Sequence, residues 1–235
     1  KTLHFEYILL YMDSRSEVLA AISSNLPPPA LVAVSKTFPA ERIREAYGLG
    51  IHDFGENRIQ EFLQKREQLK DLAIRWHFVG RLQSNKIRLL VGKVHLFHAL
   101  DSLKLFLKIS EEGERVDVKT PSLIQVNVSQ ESQKGGILQR DLEDFCSQLQ
   151  EHGSEYCPIR GLMCIGSSVE QVGEGQVRQE FDTMQSIFHK LVLMEKPYFK
   201  MEILSMGMSS DFRLAMKYGS NMIRVGRAIF GPRSG

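Results

Sequence analysis

Cysteine is scarce in this chain of 235 residues, which has three, and no two of them form a Cys-x-x-Cys pair. An odd number without paired spacing argues against a secreted disulfide scaffold and is typical of a reducing compartment. The chain also lacks an apolar run of the roughly 18 residues that a membrane helix needs. Its N-terminus has neither the basic region nor the small-residue cleavage site of a signal peptide. These absences predict a cytoplasmic protein that does not enter a membrane, with a mitochondrial pool as an alternative.

The chain also lacks an excess of charge of one sign. It has 30 lysines and arginines and 28 aspartates and glutamates, which give a net charge of +2. Such a balance argues against a surface for nucleic acids or acidic membranes. His95 and His98 have no cysteine or carboxylate beside them at a recognisable metal-ligand spacing. The composition, 43% hydrophobic and 25% charged, is that of an ordinary globular protein. We therefore expect neither a metal nor a nucleic acid among the ligands.

What the chain does contain is a regular alternation of short apolar runs and amphipathic segments. The predicted strands cover 31–35, 51–55, 75–80, 94–100, 122–128, 159–165, 201–204 and 221–225. The predicted helices between them cover 41–50, 56–69, 83–91, 102–109, 141–152, 174–195 and 211–218. This alternation predicts an α/β fold, a single (β/α)8 TIM-type barrel over 30–235 that follows an extension and a helix over 1–29. An open doubly wound sheet is the alternative, because a sequence does not show closure.

Lys36 lies where the first of these strands runs out, after the apolar residues from Leu31 to Val34. Such a run predicts a strand buried on both faces, and Pro39 fits the first position of the next helix. Desolvation at the end of a buried strand disfavours the ammonium form, which makes an amine nucleophilic enough to form a Schiff base. The alternative is a lysine that caps the sheet and extends its amine to water.

The loops after the seventh and eighth strands are where barrels of this kind often hold phosphate. The first loop, over 205–211, places Gly207 before Ser209 and Ser210 at a helix start, where exposed amides suit an anion. An ordinary helix cap is the alternative for these serines. The second loop, over 224–231, has a glycine between two arginines. A nucleophilic lysine that faces two such loops predicts a phosphorylated aldehyde as the ligand, and pyridoxal phosphate supplies both groups.

Other side chains near the strand ends have simpler interpretations. His77, within the third strand, is predicted to be a hydrogen-bonded structural residue, and Lys86 to be solvated. Met163 and Cys164 in the sixth strand fit the core.

Six stretches of the chain carry a resemblance to a known family. They are LVAVSKTFP at 31–39, FGENRIQE at 54–61, WHFVGRLQSNK at 76–86, GLMCIG at 161–166, LSMGMSSDF at 204–212 and GSNMIRVGRAIFG at 219–231. In these stretches the sequence resembles the pyridoxal phosphate homeostasis protein family, whose fold is like the N-terminal barrel of bacterial alanine racemase. The stretches are long and specific, and they span nearly the whole chain. The resemblance therefore implies the same barrel.

The resemblance also implies a cofactor, pyridoxal 5'-phosphate, and a set of residues that hold it. The set is Lys36, Asn57, Met206, Gly207, Ser209, Arg224, Gly226 and Arg227. Lys36 corresponds to the family's Schiff-base lysine, and Asn57 resembles a residue beside the cofactor ring. Ser209, with the backbone at Met206 and Gly207, corresponds to one half of a phosphate cup.

The other half of the implied cup is Gly226 with the residue that follows it. Arg224 corresponds to the arginine near the cofactor, which faces either the ring nitrogen or the phosphate. The sequence departs from the family at Arg227, where a small or hydroxyl residue is usual. The backbone amide is kept there and a hydroxyl contact is lost. The arginine either replaces that contact with charge or points away.

The family resemblance implies a protein that holds or delivers pyridoxal phosphate within vitamin B6 homeostasis, without catalytic turnover. The sequence ends shortly after its last predicted strand, which predicts no C-terminal β-domain of the kind that completes the alanine racemase site. Deprotonation on both faces of a substrate needs two placed bases. We expect a monomer whose partners are the cofactor and, as recipients, the apo forms of pyridoxal phosphate enzymes.

Two enzymatic alternatives stay open at this point. One is a small pyridoxal phosphate racemase in which Lys36 acts together with His77 or a water. The other is a Schiff-base aldolase-type barrel for sugar phosphates, which needs a carboxylate as proton shuttle and has Asp53 as its nearest candidate. Fold alone does not decide between them, because this barrel hosts many chemistries.

Overall fold

The computed structural model describes residues 14–25, 27–131 and 133–232. The described chain begins with a helix over 14–23, here α1, whose Val18 side chain is buried. Arg15 Nη2 donates to the carbonyl of Ile229 at 2.8 Å, so this helix packs beside the last element of the chain. The rest of the predicted N-terminal extension, residues 1–13, lies outside the described residues.

Parallel strands alternate with helices through the described chain. The strands are β1 Ala30–Val34, β2 Asp53–Glu56, β3 Arg75–Phe78, β4 Leu96–Leu100, β5 Ser122–Asn127, β6 Ile137–Leu138, β7 Ile159–Cys164, β8 Phe199–Ser205 and β9 Met222–Val225. The helices are α2 Ala40–Gly48, α3 Ile59–Gln68, α4 Leu103–Val116, α5 Leu142–His152, α6 Val169–Val192, α7 Phe212–Lys217 and α8 Arg227–Phe230, with 3-10 helices at Ser84–Leu89 and Gln139–Asp141. Among the described residues, no helix combines the length and apolar character that crossing a membrane requires.

The strands close into a barrel. Neighbouring strands pair in parallel from β1 to β5 and on through β7, β8 and β9, and β9 pairs back onto β1. In that closing pair Val32 lies opposite Arg224. The two-residue β6 adds to the end of β5 outside this cycle. Because the first and last strands pair, the eight-stranded (β/α)8 barrel is confirmed and the open-sheet alternative is wrong.

Several elements differ from the predicted ones in bounds or type, and three of these differences are described here. The long helix α6 begins at Val169, because the chain continues across a kink at Gly173, whose φ is 79°. The segment after β3, predicted as an α-helix, is the 3-10 helix Ser84–Leu89. Glu56, predicted to open a helix, is the last residue of β2 and is fully buried. This last difference moves a carboxylate from solvent into the interior of the protein.

A chain of polar side chains fills the N-terminal end of the barrel. His77 is buried, with Nε2 at 3.0 Å from Asp53 Oδ1 and Nδ1 at 2.9 Å from His98 Nε2. Arg75 Nη2 lies 2.5 Å from the other oxygen of Asp53. Burial alone would raise the pKa of Asp53, but the bonds from His77 and Arg75 outweigh it and hold that pKa well below its usual range. His77 is thus the hydrogen-bonded structural residue that the sequence predicts.

Candidate functional site

A cavity of about 950 Å³ lies at the C-terminal ends of the barrel strands. Loops after β1, β2, β3, β5, β7, β8 and β9 supply its walls. Function in this fold is found at that face, and the volume suits a small ligand or cofactor. Six of the eight residues predicted to hold a cofactor line it: Lys36, Asn57, Ser209, Arg224, Gly226 and Arg227. The other two, Met206 and Gly207, do not line the cavity.

Lys36 stands two residues beyond the end of β1 and lines the cavity with a half-buried side chain. Ser35 before it is fully buried, and Thr37 after it has a positive φ of 71°. A threonine with such a φ is unusual, because its branched side chain disfavours the left-handed region. The position in the cavity wall favours a ligand-binding amine over a lysine that only caps the sheet.

Ser209 and Ser210 line the cavity from the loop between β8 and α7. This loop turns at Gly207, whose φ is 95°. A Cβ added at Gly207 would lie 2.7 Å from the Cβ of Ala215, so the turn requires glycine. The two hydroxyls are therefore the polar side chains that this loop presents to a ligand.

The same turn directs Met206 into the core, where it is fully buried. The backbone amide of Met206 donates to Ser220 Oγ at 3.4 Å. The carbonyl of Gly207 accepts from the amide of Arg224 at 3.0 Å. The amide of Met206 and the carbonyl of Gly207 are thus engaged by Ser220, which precedes β9, and by Arg224 of β9.

Gly226 and Arg227 form the wall that follows β9. A Cβ added at Gly226 would lie 3.1 Å from the carbonyl oxygen of Val34, so glycine lets the ends of β9 and β1 approach closely. Arg227 is exposed and lines the cavity beside it. Arg227 thus belongs to the cavity wall, and the replacement of the lost hydroxyl contact by its charge stays a prediction.

Arg224 is a buried cation that joins three strands beneath the cavity. Its Nη1 donates to Ser205 Oγ at 2.7 Å, at the end of β8, and its Nη2 donates to the carbonyl of Cys164 at 2.6 Å, at the end of β7. Burial lowers the pKa of Arg224, but a guanidinium stays protonated in proteins. Cys164 belongs to the core as predicted, and burial raises the pKa of its thiol to about 12. Arg224 is therefore a fixed charge that cannot turn away from the cavity without losing both bonds.

Positive charge dominates the cavity wall. The lysines and arginines that line it are Lys36, Arg81, Lys134, Arg224 and Arg227. Among the described residues, no aspartate or glutamate lines it. Lys134 lies 2.5 Å from Glu131 Oε1 and donates to the carbonyl of Gly166 at 3.1 Å. The sequence did not mark Arg81 or Lys134 as site residues, although both follow predicted strands and so belong to the same face of the barrel.

The fold and the cavity define a β/α barrel of the alanine racemase type. The family model described as "Alanine racemase, N-terminal domain" matches residues 15–234. A pyridoxal phosphate homeostasis protein from Aquifex aeolicus is 39% identical over 204 residues, which are 86% of this chain and 86% of that protein. Its counterpart from Schizosaccharomyces pombe is 38% identical over 213 residues, 90% of this chain and 87% of that one. The chain belongs to the pyridoxal phosphate homeostasis protein family, as the six sequence stretches predict.

A solved structure is similar to this chain over nearly its whole length. The structure of PipY from Synechococcus elongatus, described with PLP bound, superposes with a TM-score of 0.81 at 35% identity. The match covers 92% of this chain and all of PipY, 100% of its length. The residues of this chain fit such a group, because the cavity combines an amine, two hydroxyls, a glycine that admits close approach and an excess of cations.

Proposed function

We propose that the protein binds pyridoxal 5'-phosphate at Lys36 and holds or delivers it without catalytic turnover. The observation that carries this proposal is a single cationic cavity lined by Lys36, Ser209 and Gly226 together. Pyridoxal phosphate supplies an aldehyde, which a lysine amine captures as a Schiff base with loss of water.

The cavity offers separate places for the two ends of such a ligand. Ser209, Ser210 and Gly226 supply hydroxyl donors and close backbone for the phosphate, and Arg227 adds charge there. Arg224 extends away from the β9 loop, toward the ends of β8 and β7. Because its guanidinium is bonded to the last residues of those two strands, Ser205 and Cys164, and not to the loop residues that face the phosphate, we assign it to the ring nitrogen. A guanidinium at that nitrogen disfavours a protonated ring and so weakens the electron sink on which amino-acid chemistry depends.

The groups that line the cavity support a carrier rather than a racemase. Racemisation needs a base on each face of the substrate. In the described chain, no histidine, tyrosine, cysteine or carboxylate lines the cavity, and the lining amines are Lys36 and Lys134. Lys134 is engaged by Glu131 and the carbonyl of Gly166. Among the described residues of the cavity wall, none is therefore placed to act as the second base that racemisation needs.

The side chains on which both enzymatic alternatives depend lie elsewhere. His77, the partner of Lys36 in the racemase alternative, is bonded to Asp53 and His98 at the N-terminal end of the barrel. Asp53, the proton shuttle of the aldolase-type alternative, is bonded there to His77 and Arg75. Neither side chain lines the cavity.

The proposal extends to partners and location. A protein that delivers the cofactor has the apo forms of pyridoxal phosphate enzymes as recipients, and we expect it to act as a monomer in the cytoplasm. The three cysteines are unpaired thiols, and burial raises the pKa of each to about 12. Buried thiols of this kind suit a reducing compartment.

The phosphate placement predicts the effect of Ser209→Ala. Loss of one hydrogen bond to a charged group costs roughly 1.5–3 kcal/mol, so pyridoxal phosphate binding should weaken roughly tenfold or more. Absorbance titration of the apo protein measures the affinity. Ser147→Ala is the control, because the Ser147 hydroxyl donates to the carbonyl of Glu143 on the exposed face of α5. Equal affinities for wild type and Ser209→Ala would count against a side-chain role for this serine.

The ring placement of Arg224 predicts the outcome of Arg224→Gln. The variant should bind pyridoxal phosphate roughly tenfold to a hundredfold more weakly, since bonds to charged groups contribute roughly 1.5–3 kcal/mol. The absorption maximum of the bound cofactor should also shift, because the charge beside its ring changes. A weaker affinity with an unshifted maximum would place Arg224 at the phosphate instead. The exposed pair Arg178–Glu174 supplies the control variant Arg178→Gln, which should change neither quantity.

A further inference from the structure

The chain on both sides of Lys36 is tied to charged side chains that do not line the cavity. Before it, the hydroxyl of fully buried Ser35 donates to Glu56 Oε1 at 2.6 Å. After it, the amide of Thr37 donates to Glu61 Oε1 at 2.6 Å. Two carboxylates, one from β2 and one from α3, thus hold the two neighbours of the lysine.

Lys65 of α3 joins these contacts into one cluster. Its Nζ lies 2.6 Å from Glu56 Oε1, 2.6 Å from Glu61 Oε1 and 2.8 Å from the carbonyl oxygen of Ser35. An ammonium has three protons to donate, and each has an acceptor here. The Lys65 side chain is 6% exposed, and that of Glu56 is 0% exposed. The cluster therefore ties α3 and β2 to the backbone that carries Lys36.

Burial of these charges is costly. Oε2 of Glu56 is buried with no hydrogen-bond partner in the described structure, and burial raises the pKa of this carboxyl despite the ammonium beside it. Replacement of a buried ion pair by well-packed apolar residues is often neutral or stabilising. A contribution to the stability of the fold is thus a weak explanation for this buried cluster. The backbone conformation that the cluster imposes beside Lys36 is a better one.

The backbone conformation that the cluster holds is that of Thr37. Its φ of 71° is strained for a branched residue, and such strain persists where the surroundings over-determine the conformation. The bond to Glu61 acts on the amide of that same residue. The other bonds of the cluster act on Ser35, whose carbonyl also accepts from the amide of Phe38 at 3.0 Å and so closes the turn around Lys36. The bond from Glu61 is the one that acts on Thr37 itself.

We propose that Glu61 and Lys65 are positioning residues that orient Lys36 toward the cavity through the backbone of its two neighbours. This inference rests on the proposed function, in which the Lys36 amine captures pyridoxal phosphate. The amine must approach the aldehyde carbon along a defined direction, and a small misplacement of a reacting group slows its reaction strongly.

Glu61→Ala and Glu61→Gln test the proposal as a pair. Glutamine keeps an oxygen that accepts from Thr37, whereas alanine keeps none. On mixing of apo protein with pyridoxal phosphate, the absorption band of the Lys36 link should appear about tenfold more slowly in Glu61→Ala than in wild type, and within about threefold of wild type in Glu61→Gln. Amide hydrogen exchange at Thr37, measured without cofactor, should be faster in Glu61→Ala alone. Where the alanine variant does not fold, Glu61→Asp replaces it, since its shorter side chain withdraws the carboxylate from Thr37.

Asp53→Asn is the matched control, because Asp53 is an ion-paired carboxylate at the first residue of β2, the strand that ends at Glu56 of the cluster. It should lower the melting temperature without slowing formation of the link. A Glu61→Ala protein that loads Lys36 at the wild-type rate would overturn the positioning role and leave the proposed function standing. Wild-type protein in which borohydride fixes the cofactor to a different residue would overturn both.

Discussion

Replacement of Lys36 by alanine should abolish the near-visible absorption band of bound pyridoxal phosphate, which borohydride bleaches in wild type. Lys36 supplies the amine of the covalent link, and the other lysine that lines the cavity in the described chain, Lys134, lies in the loop after β5. The variant should keep the wild-type circular dichroism spectrum, because the buried strand residues that form β1, such as Val32 and Ala33, are untouched. Residual affinity should come from the phosphate contacts alone.

Lys86→Ala and Lys134→Ala are the controls for this result. Lys86 lies in the 3-10 helix after β3 and does not line the cavity, whereas Lys134 lines it from the loop after β5. Both variants should retain the band. A band of unchanged intensity in Lys36→Ala would show that a different amine carries the cofactor, with Lys134 and Lys86 the residues to examine.

Amino-acid turnover by the loaded protein should fall far below the enzymatic range. Enzymes typically turn over at about 1 to 10³ per second, and we expect less than about 10⁻² per second here. The physical reason is the described cavity wall, which offers Lys36 and no second base placed to act on a substrate. Incubation of holo protein with single-enantiomer alanine and other amino acids, followed by chiral chromatography and assay of decarboxylation, measures both reactions.

Turnover of about 1 per second or more, lost in Lys36→Ala, would overturn the carrier assignment in favour of a small racemase or decarboxylase. The experiment that would support a carrier is transfer of the cofactor from the loaded protein to an apo pyridoxal phosphate enzyme. A rate above that from the same concentration of cofactor in solution would distinguish delivery from storage.

The barrel was predictable from the sequence because short strand-like runs alternate regularly with amphipathic helical segments. Val32, Ala33 and Phe54 are fully buried, as expected for strands covered on both faces. Closure of the barrel was not predictable, since it depends on the pairing of β1 with β9, two strands that lie far apart along the chain. Closure of a barrel also requires a consistent tilt and shift of all its strands, which the pattern of one strand does not encode.

The site was predictable where a residue follows a strand and reaches the cavity directly, as Lys36, Ser209 and Gly226 do. At Met206 the sequence predicts a backbone contact, which stays a prediction, because this residue does not line the cavity and its amide donates to Ser220 Oγ. Lys65 was missed altogether. A lysine on a helix ordinarily faces solvent, and its burial follows only from the position of Glu56 across the interface between α3 and β2.

Whether Lys36 carries the cofactor is decided by locating the covalent link in wild-type protein. Apo protein is loaded with pyridoxal phosphate, reduced with borohydride, digested and analysed by tandem mass spectrometry. We expect the phosphopyridoxyl mass on the peptide that contains Lys36, and on no other peptide at comparable occupancy. The same mass on a different lysine, or none on any peptide after a bleached band, would contradict this expectation.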